Sequence, residues 1–259
     1  MFDTPAEAYD RYIGRYGREL ARALMGAAGV RAGERALDVG CGPGALTTEL
    51  VAVLGDEAVA AVDPSPAFAE ACTRRLPGVD VRVASGEALP FADDAFDRVL
   101  AQLSVNFMSD PRAGAREMAR VARRGGCVAA AVWDYAGEMT LLRAFWDAAV
   151  ALDPAVVDRD EGRIMQYCTP DELRELWTSA AGLTDVRVAA ATATAAYADF
   201  ADLWAPLEIG VGPAGAYTGS LPAPKRAALA AELRDRLGLG LGDAPFRLTA
   251  RAWIATGRV

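Results

Sequence analysis

The sequence contains no histidine among its 259 residues. This absence excludes a Ser-His-Asp triad, a Cys-His dyad and every metal centre that depends on imidazole ligands. Lysine is almost absent as well, since Lys225 stands alone beside many arginines. Acid–base chemistry in this protein would therefore rely on carboxylates, tyrosines, cysteines, the Lys225 amine or the substrate itself.

The chain also has fewer basic than acidic residues. The chain has 27 Lys and Arg against 35 Asp and Glu, a formal net charge of −8. A chain of this charge is a poor partner for nucleic acid or for an anionic membrane, and we predict neither. The longest apolar runs, such as residues 127–133, are too short to span a bilayer. The acidic N-terminus lacks the apolar stretch of a signal peptide, so we expect a cytoplasmic protein.

The four cysteines are widely spaced and contain no Cys-x-x-Cys pair. A zinc knuckle and a redox pair are therefore not indicated, and no metal site is predicted. We expect reduced, buried thiols.

Short apolar segments alternate with helical patterns over the first half of the chain. Strands are predicted at residues 35–39, 58–62, 79–83, 97–103 and 127–133. Helices are predicted at residues 5–28, 45–54, 66–75 and 112–122. This alternation indicates a Rossmann-like α/β fold, a doubly wound and mostly parallel sheet with helices on both faces.

The pattern loosens after residue 134. Helices are predicted at residues 139–152, 169–181, 199–207 and 223–237, with a Gly/Pro-rich loop at 210–224. Strands are predicted at residues 185–194 and 246–256. These two strands would complete a seven-stranded sheet, with a helical insertion between them.

The segment Leu37-Asp-Val-Gly-Cys-Gly-Pro-Gly44 lies at a predicted strand-to-helix turn. Glycines there allow a ligand to approach the backbone, and the helix start offers free N–H groups. A dinucleotide would suit the Gly40-x-Gly42 spacing, with Asp63 about 20 residues further on for a ribose. S-adenosylmethionine (SAM), which has a ribose but no phosphate, would also fit. Asp38 favours SAM, because its carboxylate would repel a pyrophosphate but attract a cationic ligand.

Five blocks, of which the glycine turn is the first, occur in order at residues 36–45, 60–66, 84–91, 93–102 and 117–126. With these blocks, residues 5–134 resemble the class I SAM-dependent methyltransferases, specifically the small-molecule group similar to ubiquinone and menaquinone methyltransferases. The resemblance implies SAM as cofactor, S-adenosylhomocysteine (SAH) as product and a small-molecule acceptor, in a monomer or homodimer. It divides the chain into a helical segment over the pocket (1–33), a SAM-binding core (34–134) and a part that completes the sheet (135–259) with a lid at about 199–240.

The resemblance and the turn together implicate a set of cofactor-binding residues. They are Tyr9, Asp38, Gly40, Cys41, Gly42, Gly44, Asp63, Pro64, Ser65, Ser85, Gly86, Glu87, Gln102 and Leu103. By resemblance, the glycine turn wraps the amino-acid part of SAM and Asp63 accepts both ribose hydroxyls. Ser85 departs from the family, which usually has an aspartate at this position near the adenine.

Methyl transfer from a sulfonium has a good leaving group, so alignment and exclusion of water dominate its catalysis. Many relatives carry a histidine after the fourth strand, where this chain has Asn106. An asparagine can orient an acceptor but cannot act as a base. Tyr16, which shares a helical face with Tyr9 and Tyr12, is the second catalytic candidate.

Two other functions stay open at this point. The same glycine turn would serve an NAD(P)-dependent oxidoreductase. A protein that binds SAM without catalysing a reaction would keep the same motifs, since a fold does not fix an activity.

Overall fold

The computed structural model describes residues 11–240, 242 and 244–259. Its strands are β1 Ala36–Val39, β2 Val59–Asp63, β3 Asp80–Val83, β4 Phe96–Gln102, β5 Ala122–Trp133, β6 Thr184–Tyr197 and β7 Phe246–Arg258. They form one seven-stranded sheet in the order β3-β2-β1-β4-β5-β7-β6. The first five strands are parallel, and β7 runs antiparallel to both β5 and β6. The predicted Rossmann-like, mostly parallel seven-stranded sheet is confirmed.

Helices flank this sheet. They are α1 Gly17–Ala28, α2 Ala45–Leu54, α3 Pro66–Arg75, α4 Pro111–Val121, α5 Thr140–Leu152, α6 Glu161–Ile164, α7 Pro170–Glu175, α8 Phe200–Glu208, α9 Gly212–Ser220 and α10 Ala223–Arg236. In the part of the chain that the structure describes, no helix combines the length and the apolar character needed to cross a membrane.

Strands β1 and β2 are buried along their whole length. Their runs of Ala, Val and Leu suit a central parallel strand that is covered on both faces. Asp38 and Asp63 are the exceptions to this apolar pattern, and both are buried. A carboxylate in the middle of a sheet is expensive to bury, so these two positions mark the site.

The single helix predicted from residue 5 is wrong in its described part. A 3-10 turn at Ile13–Tyr16 precedes α1, which begins at Gly17. A Cβ atom at Gly17 would lie 3.2 Å from the Ala45 Cβ at the start of α2. The glycine therefore permits the close approach of the two helix starts, and the tighter 3-10 turn carries the chain into it.

The Gly/Pro-rich loop predicted at 210–224 is also wrong, because α9 lies within it. Pro213 occupies the first turn of this helix, where a missing N–H costs nothing. Its residues Ala214, Tyr217 and Thr218 are buried. Burial of this face outweighs the low helix propensity of its glycines. Strand β6 also extends beyond the predicted 185–194 to Tyr197, which pairs with Phe246. Strand β7 extends beyond the predicted 246–256 to Arg258, which pairs with Thr184.

A two-armed ion pair fixes α1 on α2. The Glu49 carboxylate accepts the Arg18 Nε–H at 2.8 Å and the Arg22 Nε–H at 2.7 Å. Burial raises the pKa of Glu49, but the bonds to Arg22 and Arg18 outweigh it, so the pKa lies below its usual range.

We predict that Glu49→Gln lowers the free energy of unfolding by about 1 kcal/mol at neutral pH, since both arginines are largely exposed. The depressed pKa means that this contribution is present above the ordinary glutamate pKa of about 4.3 and disappears as the pH falls through the lower folded value. Urea unfolding of both proteins at several pH values measures the difference. A difference that persisted in strong acid would contradict this origin.

Candidate active site

A cavity of about 380 Å³ opens at the carboxyl edge of the sheet. Val39, Asp63, Gln102 and Trp133 line it, and each is the last residue of its strand, β1, β2, β4 and β5 respectively. The order β2-β1-β4 reverses the direction of strand progression at this point. Open α/β sheets bind ligands at such a switch point, outside the carboxyl ends of the strands.

The glycine turn after β1 forms the floor of the cavity. Gly40 and Gly42 line it and have φ angles of 77° and 53°, in the left-handed region. A Cβ atom on Gly40 would lie 2.3 Å from the Ser104 Cβ, closer than any two such atoms can approach. Ser104 is itself fixed by donating its hydroxyl to the Val39 carbonyl at 2.7 Å. Position 40 therefore requires glycine for both its conformation and its space.

The other two predicted residues of the turn, Cys41 and Gly44, do not line the main cavity. Cys41 lines a smaller cavity of about 40 Å³ next to the main one. A hydrogen bond with Cys72 and burial raise the pKa of the Cys41 thiol, which stays protonated. Gly44 precedes α2 with φ 94°, and a Cβ there would lie 3.0 Å from the Cys72 sulfur. Gly44 thus packs against α3 and is not among the residues that line either cavity.

Asp63 ties the glycine turn to the end of β2. Its Oδ2 accepts the Gly42 backbone N–H at 2.8 Å, and its Oδ1 accepts the Ser65 N–H at 2.8 Å. Burial raises the pKa of Asp63, while the two backbone hydrogen bonds oppose the rise. Pro64 and Ser65 lie beside it in the cavity wall. The sequence indicated a ribose-binding acid here, but the second task of this carboxylate, holding the turn, was missed.

Asp38 is the most deeply buried acid of the site. Its Oδ2 accepts the Thr47 hydroxyl at 2.7 Å, whereas its Oδ1 has no hydrogen-bond partner among the described residues. Burial raises the pKa of Asp38 to about 7. Asp38 lines the smaller cavity together with Gly40 and Gly42. A buried carboxylate oxygen without a donor is costly, and a ligand ammonium group would satisfy it.

The loop after β3 forms another wall. The Ser85 hydroxyl donates to one carboxylate oxygen of Glu87. The other oxygen of Glu87 accepts the backbone N–H groups of Ser109 at 2.7 Å and Asp110 at 3.1 Å. Glu87 thus fixes this loop to the start of α4 while lining the cavity. A Cβ atom on Gly86 would lie 2.6 Å from the Met108 Cε, so Met108 packs directly over the loop.

Gln102 is the last residue of β4, and Leu103 follows it. The Gln102 side chain donates to the Gly17 carbonyl at 3.1 Å, and its Oε1 is buried without a partner among the described residues. Leu103 adopts φ 60°, a strained angle for a branched side chain. Its N–H donates to the Ala131 carbonyl at 2.8 Å, which holds this conformation. Both residues line the two cavities.

The structure places the two predicted catalytic residues away from the cavity wall. Asn106 lies behind it, with its amide nitrogen 3.9 Å from the Met165 sulfur. Tyr16 is fully buried and shares a hydrogen bond of 3.2 Å with the Tyr197 hydroxyl. Burial raises the pKa of Tyr16 well above its usual value, so the phenol stays protonated. Tyr9 lies outside the described residues.

Residues outside the predicted cofactor-binding and catalytic sets also line the cavity. They include Tyr12, Trp133, Tyr135, Leu142, Glu161 and, from the insertion, Val211, Gly212 and Pro213. Glu161 is 3% exposed and accepts the Trp146 indole N–H at 2.9 Å. It follows a run of charged residues, Asp158-Arg-Asp, that is typical of an exposed loop. No local pattern could therefore have revealed it.

Comparisons with known proteins agree with this geometry. Residues 37–130 match a family described as a methyltransferase domain. A demethylmenaquinone methyltransferase of Clavibacter sepedonicus is 30% identical over 231 residues, which cover 86% of this chain and 93% of that protein. A solved structure from Anaeromyxobacter dehalogenans, described as a candidate type II methyltransferase, is 25% identical with a TM-score of 0.65, over 94% of this chain and 97% of that one.

A third similarity covers less. An uncharacterized protein of Mycobacterium bovis is 35% identical over 118 residues, which are 44% of this chain but 42% of the relative, so the chain spans less than half of that relative's length. The near-complete match to the Clavibacter protein and the shared fold decide the family. The chain belongs to the class I SAM-dependent methyltransferases of the quinone-type group.

Proposed function

We propose that this protein transfers a methyl group from SAM to a small, partly apolar acceptor that presents an oxygen, nitrogen or carbon nucleophile. The observation that carries this proposal is the buried Asp38 Oδ1, which has no partner among the described residues. It lies beside the glycine turn, where a ligand ammonium would meet it. A pyrophosphate at this turn would instead face an uncompensated buried negative charge.

The residues of the turn and of the neighbouring strand ends suit each part of SAM. Asp38 would hold the ammonium group, and Asp63 the ribose hydroxyls through the lone pairs that its two backbone bonds leave free. Pro64, Ser65 and Gly86 would enclose the adenine. Bound SAM supplies a methyl group on a cationic sulfur that leaves as a neutral thioether.

The chain's own contribution to the reaction is alignment and the exclusion of water. Trp133, Leu142 and Val211 make the acceptor side of the cavity apolar, which favours a flat, apolar molecule beside the cofactor. The insertion supplies Val211, Gly212 and Pro213 to this wall. We therefore propose that the insertion at about 199–240 acts as a lid, which holds the acceptor in line and keeps water out.

We predict that Asp63→Ala weakens SAH binding by about 1.5–3 kcal/mol, the scale of hydrogen bonds to a charged group. Isothermal calorimetry with SAH, and with NAD as the competing ligand class, measures this. Asp171→Ala, whose side chain is 98% exposed, is the matched control and should bind SAH normally. Thermal unfolding of the ligand-free proteins separates a loss of ligand contacts from a loosened turn. Wild-type binding of NAD but not SAH would refute the proposed function.

We also predict that SAH affinity falls as the pH drops through about 7. Burial raises the Asp38 pKa to about 7, and the charge of nearby Asp63 adds to this rise, so the ligand-free carboxyl becomes protonated below that pH. A ligand ammonium requires the ionised form, so binding below pH 7 must release a proton. Calorimetry on the wild type should show up to about tenfold weaker binding per pH unit below 7.

The variant Asp38→Asn provides the comparison for this pH dependence. The amide cannot ionise, so its SAH affinity should be weak above pH 7 and nearly independent of pH. An equal pH dependence in wild type and variant would show that another group controls binding.

A further inference from the structure

Glu161 is a buried carboxylate in the cavity wall that none of the proposed SAM contacts uses. No ion pair between described residues includes it. The nearby Arg143 guanidinium pairs instead with Asp160, at 2.7 Å. Burying a carboxylate without a cation is costly, and such groups concentrate at functional sites. It lines the same cavity as Trp133, Leu142 and Val211, the residues to which we assign the acceptor side.

The groups that face Glu161 hold it in place without neutralising it. Trp146 on α5 donates its indole N–H to Oε2 at 2.9 Å. The titratable groups around it are Asp160 on the preceding turn, Tyr12 before α1, and Cys168 before α7. Burial raises the pKa of Glu161 to about 7; the Trp146 bond lowers it and the Asp160 charge raises it. Near neutral pH this group can therefore take up or release a proton.

The wall also contains unpaired donors. The Trp133 Nε1 and the Tyr12 hydroxyl are buried and have no hydrogen-bond partner among the described residues. An indole N–H can only donate, so Trp133 needs an oxygen or another acceptor atom. An ammonium ligand would satisfy Glu161 but has no lone pair for Trp133. A hydroxyl group on an aromatic ring offers both a proton for Glu161 and an oxygen lone pair.

Building on the proposed methyltransferase function, we infer that Glu161 is the proton acceptor of the acceptor subsite and takes its proton from a hydroxyl group of the acceptor. The proton moves from the hydroxyl oxygen to a Glu161 carboxylate oxygen. The electron pair of the broken O–H bond stays on the substrate oxygen, which becomes the nucleophile. Glu161 later returns the proton to solvent. Alignment alone then no longer accounts for the reaction, because the chain also provides a base.

The first test compares two probes that differ only in the hydroxyl proton, 2-naphthol and 2-methoxynaphthalene. Their affinities for the protein–SAH complex are measured by fluorescence titration at about pH 8. The wild type should prefer the naphthol about tenfold or more, the effect of one hydrogen bond to a carboxylate. Glu161→Gln should lose this preference, and Glu57→Gln, an exposed glutamate between α2 and β2, should keep it.

Three results of this test would overturn the inference: a wild type that does not discriminate between the probes, a Glu161→Gln variant that still discriminates, or tighter binding of 1-naphthylmethylamine, which carries an ammonium. Calorimetry with SAH distinguishes a failure of the proposed function from a failure of the role inferred for Glu161. A wild type that binds no SAH refutes the proposed function. A wild type that binds SAH but ignores the hydroxyl refutes this inference alone.

A second measurement needs no probe and works even if Glu161→Gln folds poorly. The Trp146 indole N–H signal, identified by its absence in Trp146→Phe, is followed by NMR through a pH titration of the wild type. It should shift with a midpoint near the Glu161 pKa of about 7. When the first test is repeated on Trp146→Phe, the preference for naphthol should appear only at higher pH, because the lost hydrogen bond no longer lowers the Glu161 pKa. A Trp146 signal that does not titrate would contradict the proton-accepting role.

Discussion

Three buried carboxylates around the main cavity and the smaller cavity next to it, without a cation among the described residues to balance them, are the constraint on which the rest of the site depends. Asp38, Asp63 and Glu161 are each less than a tenth exposed, and no ion pair between described residues includes any of them. Their desolvation cost is met only in part, by hydroxyl, backbone and indole donors. The cavity therefore favours a ligand that brings positive charge and hydrogen-bond donors of its own.

Other buried or half-buried acids of the chain are paired with arginines. Asp134 meets Arg251 at 2.6 Å, and Asp160 meets Arg143 at 2.7 Å. Glu49 has two arginines. Although arginines are plentiful, none of the described residues that line the two cavities is an arginine, which is a property of the site rather than of the composition. An arginine there would compete with a cationic ligand for the same carboxylates.

Local signals in the sequence were sufficient for the sheet and for the residues near the glycine turn that line the two cavities. Asp38 and Asp63 stand out because each interrupts an apolar strand next to a glycine turn or a proline. Glu161 and the helix that carries Pro213 depend on tertiary packing and were missed, because Glu161 follows a charged run and the helix is rich in glycine. The tyrosines of the N-terminal segment share a face, but a 3-10 turn decides that Tyr12 lines the cavity and Tyr16 packs behind it.

The two parts of the chain that cover the acceptor side are joined to each other. Arg15 donates to the Ala196 carbonyl at 2.9 Å and to the Asp202 carboxylate at 2.9 Å, and the Tyr16 and Tyr197 hydroxyls share a hydrogen bond. The segment that carries Tyr12 is thereby fixed to the base of the insertion. The cofactor turn is instead anchored to β2 through Asp63 and the Val62 carbonyl. The glycine turn and the segment that carries Tyr12 are thus held in place by separate sets of contacts.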